Sequence, residues 1–476
     1  VSASLTVPRL NRSALDAARA VAPPVRIVHV GLGAFHRAHQ AWYTAHASDA
    51  GEWGIAAFTG RSPLAAEQLA AQDGVFTLVE RGPEGDRWEL VANIVRALPG
   101  SDLPAFVALV ADPAVAVLTL TITEAGYRLD PNGLLDPADP GTLADIALLR
   151  EGIADRIDLG RLEPATSLGR VVLGLEARRR AGAGGLAVVP CDNLPDNGAV
   201  LSRALETLAR AISPELDRWL PTGISVVSTS VDRITPQPTA DDRAHAAAAT
   251  GWTDEAAVVT EPFSDWVLSG DFPSGRPDWA SAGARFVDDI APWQLRKLWM
   301  LNGAHTLLAS LGSLRGHSLV SEAIADPACR DAVERLWDED ARHLPGVDTD
   351  AYRAALVERF SNARIEHRLV QIGGDAATKV KLRIVPVALR ERAAGRAAEG
   401  CATAVAAWIV AVRSGLYPAP AGSAAGVGTR SLITYLDPVL GADDDFRDLT
   451  DSLLTRLGAA ITTTQSAPSA TRKDTR

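Results

Sequence analysis

Lysine is nearly absent: the chain of 476 residues holds four, against 43 arginines. Arginine stays protonated in proteins and serves wherever a cation is enough, whereas lysine can lose its proton when desolvated, so a lysine retained in an apolar helical run points to a base. Cysteine is almost as rare. Cys191, Cys329 and Cys401 stand far apart, with no Cys-x-x-Cys pair and no histidine at metal-ligand spacing, so neither a disulfide framework nor a structural zinc is expected and a reducing cytoplasm fits. Long apolar runs are missing too. The longest, around 402–412, is too short to span a bilayer, and the first 24 residues hold no apolar core of signal-peptide length, so neither membrane insertion nor export is expected. A basic excess is also lacking: the net charge is -11 and the pI about 5.4, which argues against a nucleic-acid partner.

What is present is a globular composition, 47% hydrophobic and 22% charged, long enough for two or three domains. Short β-branched runs at 26–30, 55–58, 115–122, 186–190 and 224–229 alternate with helical stretches such as 63–72 and 201–212, the pattern of a parallel α/β sheet. From about residue 292 the texture changes to long Ala/Leu/Arg segments with helical spacing, at 292–311, 318–344, 350–360, 384–396, 400–414 and 446–462. The expected organisation is an α/β domain over 1–285, a mostly α-helical domain over 286–463 and a disordered tail over 464–476.

The first strand runs into Gly31-Leu-Gly33-Ala-Phe35-His36, where glycines allow a tight turn and close approach of a pyrophosphate to the following helix. His36 stands where the usual fingerprint has a third glycine, so a plain strand-to-helix turn is the alternative. About 20 residues further on, where a carboxylate usually selects NAD, the chain reads Thr59-Gly60-Arg61-Ser62, leaving NAD and NADP both open; Arg61 is either a 2′-phosphate ligand or simply exposed. Polar clusters follow three more strands: Thr123-Glu124-Ala-Gly126-Tyr127, Cys191-Asp192-Asn193 with Asn197-Gly198, and Val231-Asp232-Arg233 with Thr235-Pro236. Each alone reads as a turn or helix cap; three together favour a site at the strand ends.

One of the four lysines opens the run Lys297-Leu-Trp-Met-Leu-Asn302-Gly-Ala-His305. On an α-helix, at about 100° per residue, Asn302 and His305 fall one turn apart and Lys297 about 80° from His305, so the three reach one pocket. Oxidising a secondary alcohol needs a base for the hydroxyl proton and donors that stabilise the developing alkoxide. A neutral Lys297 supplies the base, Asn302 and Asn193 the donors, and His305 holds a substrate hydroxyl or orients the lysine. The plain alternative is a lysine snorkelling to solvent. A catalytic zinc finds no ligand set, and none of the five tyrosines has a lysine four residues later, which excludes the Tyr-x-x-x-Lys type of dehydrogenase.

Taken in order, 31–40 (Gly-Leu-Gly-Ala-Phe-His-Arg-Ala-His-Gln), 121–127, Cys191-Asp-Asn193, 231–236, Glu261-Pro-Phe263 and 297–305 resemble the polyol-specific long-chain dehydrogenases and reductases, which include mannitol 2-dehydrogenase and fructuronate reductase. The resemblance implies a Rossmann-type N-terminal domain and an α-helical C-terminal domain. It also implies metal-independent chemistry with Lys297 as acid/base, Asn193 and Asn302 on the reacting oxygen, and His305 and Asp232 in the substrate pocket. A dinucleotide, NAD or NADP, is then expected at Gly31, Gly33, Phe35, Arg61, Thr123 and Glu124. The segment 359–379 resembles the family's substrate-binding stretch, and its His367-Arg368-Leu-Val-Gln371 form is closer to the hexuronate-reducing branch; Arg368 and Lys379 would suit a sugar-acid carboxylate.

Two departures stand out: Gln294 replaces the acid often found a turn before the lysine, and Asp375-Ala-Ala-Thr-Lys379 replaces the usual Asp-Gly-Ser-x-Lys loop. The expected protein is a cytoplasmic oxidoreductase, monomer or homodimer, that interconverts a polyol or aldonate with its ketose or keto-sugar acid. A decarboxylating 3-hydroxyacid dehydrogenase and a non-catalytic dinucleotide-binding sensor are the rival readings.

Overall fold

Short apolar runs that alternate with period two form strands buried on both faces in the computed structural model, which describes residues 7–420 and 428–466. The chain divides into two units, Val1–Ile290 and Ala291–Arg476. The described residues of the first contain β1 (Val25–Val30), β2 (Gly54–Phe58), β3 (Phe76–Gly82), β4 (Gly85–Val91), β5 (Ile94–Leu98), β6 (Val117–Leu120), β7 (Leu186–Pro190), β8 (Ile224–Val226), β9 (Ser228–Asp232), β10 (Val258–Thr260), β11 (Asp265–Ser269) and β12 (Arg285–Phe286).

Six strands form the main sheet in the order β5-β2-β1-β6-β7-β8, every neighbouring pair parallel. The chain moves outward from β1 through β2 to β5, then returns and continues on the other side of β1. That reversal opens a crevice between the C-terminal ends of β1 and β6, the topological switch point of a Rossmann-type sheet. Successive residues feed two cores. Val28, Val30, Ala56, Phe58, Leu118, Leu120 and Val188 pack beneath helices Leu103–Val110, Ser167–Ala181 and Asn197–Ile212. Ile27, Ile55, Ala57, Val117, Ala187 and Val189 face the other way, toward the helical run that begins at Ala34.

Sequence periodicity marks a single parallel sheet, whereas two further three-stranded sheets are present, β10-β3-β4 and β12-β11-β9. β4 escapes the apolar pattern because it carries charge: it runs Gly-Asp-Arg-Trp-Glu-Leu-Val and only Val91 is buried. The run expected at 224–229 breaks at Val227, so that β8 stays in the main sheet while β9 turns away to pair antiparallel with β11.

The second unit is helical. Ala291–Arg296, Lys297–Leu301 and Asn302–Leu314 form one continuous run, and Glu399–Arg413 is buried along most of its length. The helix expected over 318–344 splits into Val320–Ala325 and Pro327–Arg342, because Asp326 caps a new helix that Pro327 starts. The last helix extends to Ser466, taking in the first residues of the expected tail; 467–476 lie outside the described residues. No helix of the described residues is long and apolar enough to cross a membrane.

Candidate active site

At the end of β1, the N–H groups of Gly31 and Leu32 both donate to Phe58 O at 2.9 Å, and Thr121 Oγ1 donates to Gly31 O at 2.8 Å. Gly31 has φ +110°, and a Cβ there would lie 2.4 Å from Thr121 O, so only glycine fits. Gly33 differs. It is extended, and a Cβ would meet nothing closer than Gly31 O at 3.5 Å. The chain itself does not require that glycine, so the space beside it fits a ligand such as a pyrophosphate at the start of the following helix.

The helix begins at once, Ala34–His36, loosens into a π-turn at Arg37–Ala41, and resumes as Trp42–His46. His36 replaces the third glycine with a flat contact. Its ring stacks on that of His29 from β1, while His29 Nδ1 is 2.8 Å from Thr119 Oγ1 and Nε2 is 3.1 Å from Thr121 Oγ1. Arg37 Nε returns to Gly33 O at 3.1 Å and its Nη1 donates to Ala256 O, which pins the turn. Phe35 is half-buried and stacks on His39. Beyond β2, Thr59 is buried and accepts from Gly100 N at 3.0 Å, while Arg61 is exposed.

Two side-chain bridges tie the three polar clusters together. Tyr127 OH donates to the Asp192 carboxylate, joining the segment after β6 to the one after β7. Burial is the largest influence on each group and pushes the pKa of both upward. Asn197, fully buried, donates to Thr229 Oγ1 at 3.2 Å and accepts from Thr229 N at 3.0 Å, joining the β7 segment to β9. Asn193 lies between these anchors and is exposed, as are Thr123 and Glu124. Asp232, buried at the end of β9, pairs in register with Asp265, whose carboxylate is held by Arg285. Arg233 acts as a clamp: its fully buried guanidinium reaches Glu261 O, Ala38 O and Glu80.

In the helical unit, Lys297 opens a second π-turn, Lys297–Leu301. The angle expected for Lys297 from an uninterrupted α-helix therefore does not apply across this turn, whereas Asn302 and His305 share the α-helical part and lie one turn apart. Side chains brace the turn's carbonyls: Trp337 Nε1 donates to Met300 O at 2.8 Å, and both Thr306 Oγ1 (2.9 Å) and Arg383 Nη1 (3.3 Å) donate to Asn302 O. His305 is buried between Phe360 and His367, with centroids 4.7 and 4.6 Å away, and among the described residues its Nε2 has no hydrogen-bond partner. Burial first, then His367, Arg359 and Arg383, push its pKa well below the ordinary value, so the ring is neutral. The same causes, burial and then Arg359, bring His367 down to about 4.

Lys379 Nζ donates to Ile372 O at 2.8 Å. Arg368 is exposed and paired with Glu366 at 2.8 Å; the arginine that lies against Asn302 is Arg383, which sequence reading passed over. A signal for it exists, since Lys379 and Arg383 stand four apart on helix Ala376–Arg383 and so share a face. Among the described residues, His317, Asp326 and Cys329 are close enough to hold a metal, but the Asp326 carboxylate already accepts from Arg315, His317 and Ala328 N as a helix cap.

Residues 25–281 match the family described as mannitol dehydrogenase Rossmann domain, and residues 289–414 match the mannitol dehydrogenase C-terminal domain. The chain is 36% identical over 377 residues to the D-mannonate oxidoreductase of Escherichia coli (strain K12), covering 76% of this chain and 75% of that protein. It is similar to the crystal structure of D-sorbitol dehydrogenase in substrate-free form, with TM-score 0.78, 28% identity, and 96% and 95% of the two chains covered. It is also similar to Pseudomonas fluorescens mannitol 2-dehydrogenase in ternary complex with NAD and D-mannitol, with TM-score 0.72, 31% identity and 94% of each chain covered.

Proposed function

The chain belongs to the mannitol dehydrogenase family, and from that premise we propose that this oxidoreductase interconverts a sugar alcohol or aldonate with its ketose or keto-sugar acid, using Lys297 as the acid/base. The observation that carries the reading is His305: buried, neutral, with Nε2 unpartnered, one turn from Asn302 on the helical run whose π-turn opens at Lys297. A buried imidazole nitrogen without a partner costs stability unless a ligand hydroxyl completes it.

In oxidation Lys297 Nζ takes the proton of the reacting hydroxyl, and in reduction it returns a proton to the carbonyl oxygen. Asn302 donates to that oxygen and stabilises its developing charge, and the same role is proposed for Asn193. The brace at Asn302 O by Thr306 and Arg383 fixes the backbone from which this amide projects. His305 and Asp232 bind substrate hydroxyls, and Lys379 and Arg368 supply positive charge for a substrate that bears an acid.

Gly31, Gly33, Phe35, Thr123, Glu124 and Arg61 are proposed to hold the dinucleotide at the switch point, and the nicotinamide, when bound, accepts or supplies the hydride. The lack of an acid after β2 and the exposure of Arg61 leave room for a 2′-phosphate, so both NAD and NADP belong in the test. The chemistry is metal-independent in this reading, since a lysine and two amides supply what a Lewis acid would. Relatives named for mannonate and for mannitol support both acid and neutral substrates. The test is oxidation of NADH and NADPH by purified protein against fructuronate, tagaturonate, fructose and xylulose. Turnover of at least one supports the reading, and silence across the panel with both cofactors overturns it.

A further inference from the structure

We propose that the helical unit carries a carboxylate-binding subsite centred on Arg383, so that the substrate is a keto-sugar acid or its aldonate rather than a neutral sugar. The inference rests on the oxidoreductase reading above and names the substrate class of that site.

Arg383 ends helix Ala376–Arg383, and its Nη1 donates to Asn302 O at 3.3 Å and to Thr306 Oγ1 at 3.1 Å. Among the described residues its Nε and Nη2 have no hydrogen-bond partner and no carboxylate forms an ion pair with it. Other arginines of the same unit are matched by acids: Arg342 and Arg396 by Glu391, Arg392 by Asp443, Arg315 by Asp326. Burial of the Arg383 guanidinium pushes its pKa down, and no acid opposes that shift. A partly desolvated guanidinium gains from a counter-charge, and the open edge formed by Nε and Nη2 matches a carboxylate bidentately.

The surroundings repeat the sign. Arg383 and Arg359 both act on His305, Arg359 acts on His367, and Arg383 acts on Lys379, where Asp375 opposes it. Lys379 and Arg383 are also like charges four apart on one helix, an arrangement that destabilises a bare helix. An anion bound here relieves that repulsion close to Asn302, whose carbonyl Arg383 touches. Arg368, exposed and neutralised by Glu366, is the weaker candidate for the same task.

The test compares wild type, Arg383→Gln and Arg383→Lys as full-length chains, in steady-state reduction of fructuronate and of fructose with NADH and NADPH. Wild type is expected to favour fructuronate in kcat/KM. Arg383→Gln should lower kcat/KM for fructuronate at least ~30-fold more than for fructose, with the excess in KM, because a buried charge pair is lost only for the acid. Arg383→Lys should recover part of the loss. A wild-type preference for fructose overturns the proposal, as does an equal fall in kcat for both substrates, which would make Arg383 only a brace for Asn302. Calorimetric titration of fructuronate separates the two readings. Binding to wild type that is lost in Arg383→Gln, without turnover of any sugar, upholds the subsite while the oxidoreductase reading fails; absence of binding to wild type overturns the subsite itself.

Discussion

The imidazoles of His29 and His36 lie face to face, with centroids 3.4 Å apart and planes within 8° of parallel. The contact joins the first strand to the helix after the glycine turn, at the place where a dinucleotide fingerprint has its third glycine. Glycine lets helix and strand approach because it has no side chain; here two flat rings achieve the approach by stacking, with His29 steadied by Thr119 and Thr121.

Both rings are fully buried, and burial, the largest cause for each, holds His29 down to about 3 and His36 well below its ordinary value. An unfolded histidine titrates near 6.5, so between about pH 6.5 and 3 the unfolded chain takes up protons that the folded one refuses. Stability is complete above that window and falls as the pH drops through it. His305 and His367 add to the same slope. Urea midpoints followed downward from neutral pH should decline, and His36→Phe, which keeps a stacked ring, should flatten the decline by about one proton. An unaltered slope would show that His36 is not a contributor.

Gly31 and Gly33 should part company on substitution. Gly31→Ala combines φ +110° with a Cβ 2.4 Å from Thr121 O, and should cost at least ~2 kcal/mol in chemical denaturation. Gly33→Ala clashes with no atom of the chain and should stay within about 0.5 kcal/mol of wild type, yet weaken dinucleotide binding at least about tenfold. Fluorescence titration with NADH and NADPH checks the second half; undiminished affinity in Gly33→Ala would remove the glycine turn from the binding site.

Lys297→Ala should lower kcat by roughly three orders of magnitude or more while cofactor affinity changes little, since the lysine acts on the substrate proton. Turnover within tenfold of wild type would defeat the proposed mechanism.

Tyr127→Phe removes the phenol that donates to Asp192. The largely buried carboxylate then loses its donor from the β6 segment, and the expected loss is about 1–3 kcal/mol in unfolding free energy. A neutral outcome would mean that the bridge between these strand ends does not hold the site.

Local patterning made part of this molecule legible. Residues 26–30 and 186–190 stand out because β-branched residues feed two cores in alternation, and Gly31-Leu-Gly33 stands out because few other sequences turn so sharply after a strand. Lys297 draws attention through the scarcity of lysine. β4 and β5 stayed hidden because charged residues interrupt them, and the two π-turns, at Arg37–Ala41 and Lys297–Leu301, give no periodic signal at all. Both interrupt helices inside the motifs 31–40 and 297–305, where donors from elsewhere in the fold hold the chain: Arg233 reaches Ala38 O, and Trp337 reaches Met300 O.

By itself, then, the amino-acid sequence determined the α/β-then-helical order, the glycine turn and the run from Lys297 to His305, since each depends on residues close together in the chain. Tertiary structure alone decided which distant partners meet. It placed Arg383 against Asn302, 81 residues away, with no acid paired to it among the described residues; it stacked His36 on His29 and joined Tyr127 to Asp192. Such pairings follow from how sheets and helices pack, and packing is set by the whole chain's buried surface rather than by any local window.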